Sequence, residues 1–148
     1  MCNISAIKDA DLCILNAAGM KSEKKSLIAF KGKPNHSGIA EFKKSTVHII
    51  VEIIEYVPNA VVSKTIIKKT TGNITVFSFA VGEELAEKTS PFDNYIQIID
   101  GSAELIISEK KYELKLGEGI IIPAHAPHCF IANEQFKMIC TIIKSGYE

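Results

Sequence analysis

The chain has 148 residues, no formal net charge, 47% hydrophobic residues and 23% charged ones, which excludes a disordered chain and supplies a core without disulfide staples. All seventeen basic residues are lysine, since arginine is absent; without net positive charge or guanidinium forks, nucleic acid is not the expected partner. No run reaches the roughly 18 to 20 apolar residues of a membrane span, and Met1–Ser5 lacks the basic-then-apolar pattern of a signal peptide, so a cytoplasmic protein off the membrane is expected.

Residues 1–45 read as an N-terminal extension that packs on the following domain or on a partner. They hold a short helix over 10–20, closed by Gly19, and a short strand over 26–30, with turn-rich sequence such as Lys33-Pro34-Asn35-His36 between apolar runs. From Thr46 the texture changes. Residues 47–57 form a β-branched run ending at Pro58-Asn59; its eleven residues suit a long strand, or a helix given Glu52 and Glu55 three apart.

Strands are then predicted over 61–67, 74–80, 95–99, 103–108, 111–116, 119–122, 129–132 and 136–144. Turn chemistry separates them: Thr71-Gly72-Asn73, Asp100-Gly101, Lys110-Lys111, Leu116-Gly117-Glu118-Gly119 and Asn133-Glu134. Short strands at about ten-residue spacing are the signature of a sandwich or barrel. The alternation of Asn94, Ile96 and Ile98 against Tyr95, Gln97 and Ile99 sends one set inward. Gly101 and Gly117 mark tight turns, and Pro123 ends a ladder. Cys2, Cys13, Cys129 and Cys140 show neither a C-x-x-C pair nor finger spacing, so free thiols are expected. Glu83-Glu84 and Lys68-Lys69 read as solvated charges, and Ile120-Ile121-Ile122 as core strand.

The ordered set Gly82, Ser90-Pro91-Phe92-Asp93, Asp100-Gly101, Gly117-Glu118-Gly119, Pro123, Pro127-His128 and Phe136-Lys137-Met138 resembles a small single-domain cupin of the conserved-barrel type. The resemblance implies an all-β fold, a cupin-type double-stranded β-helix (jelly-roll) barrel over 46–148 carrying the extension 1–45. It also implies a homodimer paired through a sheet edge or exchanged N-terminal strands.

Cupins that bind a metal generally use two His and one Glu from a first block and one His from a second. Transferred position by position, the first-block ligands fall on Lys88, Ser90 and Asn94, and the second-block His falls on His128. His125 stands where a Gly is usual. An ammonium beside a dication repels it, and one imidazole with weak neutral oxygens fixes no transition-metal geometry. A divalent transition metal would need a site rebuilt around His128 and His125, with Glu87 or Gln97.

The same four residues suit a small polar or anionic molecule. Lys88, Ser90, Asn94 and His128 offer a cation, a hydroxyl, an amide and an imidazole inside an apolar barrel. The bland alternatives are a Lys88 that snorkels to solvent and a His128 that is only a hydrogen-bonded core residue. Three functions follow: a barrel binding a small ligand without a complete metal site; a cupin enzyme, either metal-dependent or using Lys88 in carbonyl or sugar chemistry; and a scaffold for assembly. The first is favoured here.

Overall fold

The computed structural model describes residues 14–15 and 41–146. Ten antiparallel strands make two sheets. They are β1 (Ile14–Leu15), β2 (Val61–Lys69), β3 (Gly72–Phe79), β4 (Glu84–Lys88), β5 (Asn94–Asp100), β6 (Ala103–Ile107), β7 (Lys110–Leu114), β8 (Gly119–Ile122), β9 (His128–Ile131) and β10 (Phe136–Ile143). The large sheet runs β1-β2-β3-β10-β5-β8 and the small one β4-β9-β6-β7. The result is the all-β jelly-roll barrel that the sequence implied.

Period-two patterning explains why the sheets face each other. Along β5, Asn94, Ile96 and Ile98 are buried while Tyr95 is exposed. Facing residues Phe77, Phe79, Leu85, Ile96, Ile98, Leu105, Phe130, Phe136 and Met138 form the main core. Phe79 stacks on Phe136 at 4.3 Å between centroids and meets Phe130 of the small sheet at 6.1 Å. Such aromatic pairs add to the stabilisation from buried area. Gly101 has φ +68°, and a Cβ there would overlap the Gln135 carbonyl oxygen, so this turn requires glycine on both counts.

Residues 47–57 are neither a long strand nor a long helix. Only Ile50–Glu52 form a single 3-10 turn. Ile50, Ile53, Ile54 and Val57 share one face at helical spacing, and they cover Val62, Val76, Ile66, Ile99 and Ile139 on the outer face of the large sheet. Polar ties fasten this strap. Lys137 Nζ donates to the Val51 carbonyl at 2.6 Å and lies 4.7 Å from the Tyr56 ring centroid. Tyr56 Oη donates to Asp100 Oδ2 at 2.6 Å, and Ser78 Oγ donates to the Glu55 carbonyl at 2.7 Å.

Other expectations need correcting. β4 was read as loop, yet Leu85 packs in the core and Glu83 is 6% exposed rather than solvated. The β6–β7 turn is Ser108-Glu109, both at positive φ, which extends β7 back to Lys110. Two positive φ values at a two-residue hairpin turn match the twist of the flanking strands. Ile121 is 63% exposed because β8 is an edge strand, so only Ile122 of the triplet is fully buried. Cys140 is a buried cysteine outside any disulfide, whereas Cys129 is disulfide-bonded. Ile14–Leu15 pair with Val62 and Val61 as a strand, against the expected helix. The rest of that helix and the strand over 26–30 lie outside the described residues.

Candidate functional site

Two loops bring the sequence-predicted residues to one end of the barrel. The loop between β4 and β5 (89–93) and the loop between β8 and β9 (123–127) are tied together: Ala124 N–H donates to Asp93 Oδ1 at 2.8 Å, and His125 N–H donates to the Ser90 carbonyl at 2.6 Å. Lys88 enters the first loop and Asn94 leaves it, while His128 leaves the second. Chain connectivity therefore holds all three at the same rim.

Within the small sheet, Lys88 and His128 are cross-strand partners, with a register shift between Leu85 and Lys88. Opposed residues of an antiparallel pair share a face, and His128 shares its face with Phe130, whose ring it meets edge-on at 6.2 Å. The irregularity thus turns the half-buried Lys88 side chain towards the face of His128 instead of leaving it to strict alternation from Leu85. On its other side His128 pairs with Ile107, a core residue.

His128 is 2% exposed. Its Nδ1 lies 3.0 Å from the Ala126 carbonyl oxygen. A carbonyl only accepts, so Nδ1 carries the hydrogen and Nε2 presents a lone pair. Burial lowers the imidazole pKa; the Ala126 bond opposes that shift and the Lys88 charge reinforces it. At neutral pH His128 is a neutral acceptor.

Asn94 stands on the large sheet between Ile122 of β8 and Ile142 of β10. It is 2% exposed, and its Oδ1 is buried without a hydrogen-bond partner. An unsatisfied buried amide costs about 1–3 kcal/mol, so it calls for an explanation.

Ser90 and His125 are not brought into this group as the sequence suggested. The Ser90 hydroxyl donates to the Phe92 carbonyl at 3.0 Å and accepts from the Phe92 N–H at 3.1 Å, so it is spent within its own loop. His125 is exposed, at φ +67°, on a turn. Among the described residues no three His, Cys, Asp or Glu side chains are grouped to hold a metal ion. Sequence reasoning missed two positioning groups. The Ala126 carbonyl that fixes the imidazole has no side-chain signature, whereas Asp93, which ties the loops, was visible in Ser90-Pro91-Phe92-Asp93 but read only as turn chemistry.

An open groove of about 310 Å³ lies at the other end of the small sheet, lined by Ser102, Ala103, Glu104, Glu113, Asn133 and Glu134. Two of its three carboxylates are engaged by neighbours: Ser102 donates to Glu134, and Lys111 and Asn133 both reach Glu104. Of these two places, the Lys88 end is the one that sets a cation beside a buried polar atom without a hydrogen bond.

Residues 75–143 match the family described as the cupin domain. This region is a cupin domain. A solved structure of a conserved protein of unknown function from Streptococcus pyogenes is similar at 29% identity and a TM-score of 0.68, over 74% of this chain and 96% of that one. A cupin superfamily protein from Desulfitobacterium hafniense is similar at 24% identity and a TM-score of 0.66, over 72% and 98%. A cupin 2 conserved barrel domain protein from Leptotrichia buccalis is 32% identical with a TM-score of 0.62, over 64% of this chain and 46% of that one. No curated protein matches the chain. Among the described residues, no helix is long and apolar enough to cross a membrane.

Proposed function

We propose that this cupin binds a small anionic molecule at the rim formed by Lys88, Asn94 and His128, without a complete metal site. The observation that carries the reading is the pairing of a half-buried cation, Lys88, opposite a buried imidazole whose Nε2 is unspent. Among the described residues Lys88 forms no ion pair, and a ligand carboxylate supplies the counter-charge. The metal alternative is weakened by the same residues. An ammonium repels a dication, the Ser90 hydroxyl is spent on Phe92, and one imidazole and one amide do not complete a transition-metal shell.

The test is calorimetric titration of the purified protein with small carboxylates such as propionate and succinate, repeated with Lys88→Met, beside elemental analysis of protein prepared without chelator or nickel resin. Saturable binding lost in Lys88→Met, with no stoichiometric transition metal, is the expected result. One equivalent of Fe, Mn, Ni or Zn that disappears in His128→Ala would defeat the reading.

A further inference from the structure

We infer that the ligand is a small hydroxy acid, whose carboxylate pairs with Lys88 and whose hydroxyl hydrogens go to His128 Nε2 and Asn94 Oδ1. This inference rests on the anion-binding reading above and narrows it to a chemical class. The step from anion to hydroxy acid comes from counting donors and acceptors at the rim.

Lys88 offers only donors. His128 offers only an acceptor, because its one hydrogen is committed to the Ala126 carbonyl at 3.0 Å. Asn94 contributes a second acceptor, Oδ1, buried and without a partner. A plain carboxylate satisfies the cation but brings no hydrogen to either acceptor, and its negative oxygens would face two lone pairs. A neutral polyol satisfies both acceptors and leaves the ammonium without a counter-charge. A molecule bearing carboxylate and hydroxyl groups together answers all three demands. Ile107, Ile122 and Ile142, the strand partners beside His128 and Asn94, bring no hydrogen-bond donor from their side chains. The donors beside these acceptors are Lys88, opposite His128, and the Nδ2 of Asn94 itself, and both can hold a ligand's carboxylate oxygens while its hydroxyls meet the acceptors.

Polar complementarity of this kind discriminates strongly, because a ligand lacking the hydroxyl leaves a buried acceptor unpaired. The discriminating experiment compares matched pairs by calorimetry: glycerate against propionate and tartrate against succinate, each hydroxy acid carrying the two hydroxyls that the two acceptors call for, with glycerol as the uncharged control. The hydroxy acid of each pair is expected to bind about tenfold or more tighter than its deoxy partner, with glycerol weaker still. Asn94→Leu, close in shape and unable to accept, should collapse most of the ratio while changing the deoxy acid little. Lys88→Met should weaken both members of a pair by a similar factor. The nitrogen-15 shift of His128 Nε2 should move on adding glycerate and stay in place with propionate. Equal affinity for glycerate and propionate in the parent protein would overturn the hydroxy-acid inference and leave the anion site standing. Absence of binding by any acid at millimolar concentration, or binding indifferent to Lys88→Met, would overturn both.

Discussion

Asn94 is where function and stability pull apart. Its buried Oδ1 has no partner, and such a group costs about 1–3 kcal/mol relative to an apolar residue of like shape. Asn94→Leu is therefore expected to raise the unfolding free energy by roughly 1 kcal/mol while weakening hydroxy-acid binding, measured by urea denaturation and calorimetry on the same preparation. A loss of stability would mean that the amide is satisfied by an internal water and serves the fold. Position counting in the sequence located Asn94, Lys88 and His128, because each stands at a fixed offset from a turn glycine or proline. It could not foresee that Ser90 would bond its own loop, since a serine two residues before Phe92 serves a cavity or a local turn equally well. Nor could it supply the tautomer of His128, which depends on a backbone carbonyl.

At the scale of elements, strands with clean alternation were legible and irregular segments were not. β5 and β8 lie within a residue of their expected bounds. β4 is hidden in the sequence because it spans five residues, of which only Glu84, Leu85 and Lys88 pair, and a register shift interrupts them, yet that shift is what sets Lys88 opposite His128. The strap differs for another reason: its β-branched, apolar sequence suits a strand, but Ile54 and the partly buried Ile50, Ile53 and Val57 lie over a sheet face instead of pairing into it. Tyr56 pins it to Asp100. Burial foremost, then that acceptor, push the phenol far above its usual range. Tyr56→Phe should cost about 1–2 kcal/mol in unfolding free energy. The alkaline limb adds a sign test. A raised folded-state pKa means that the unfolded chain releases its phenolic proton first, so the parent protein loses this contribution as pH climbs past about 10. The gap between parent and Tyr56→Phe should narrow there in denaturation curves taken between neutral and strongly alkaline pH; a gap that widens would show the phenol ionising more readily in the folded state.

Viewed whole, the barrel has two unlike ends. The hairpin-tied loops gather Lys88, Asn94 and His128 at one, whereas Phe79 and Phe136 close the other by stacking and reach Phe130 across the sheets. β3 and β10 carry this division along their length. Register pairs Phe136 with Phe79 at one end and Ile142 with Asn73 at the other, where Ile142 also neighbours Asn94. A jelly roll stabilised mainly by its aromatic end can leave unsatisfied polar atoms at the opposite rim, because the two costs fall on different parts of the core. Phe79→Ala probes this directly. Phe79 is fully buried, so truncation should cost roughly 3–5 kcal/mol, a large share of the marginal stability of a domain this size. The urea midpoint should fall steeply, while carboxylate affinity measured well below that midpoint stays within about twofold of the parent, since Phe79 stands one ring removed from the site, reaching His128 through Phe130. A variant that keeps its midpoint but loses the ligand would refute the division of labour, placing the aromatic end within the binding site rather than behind it.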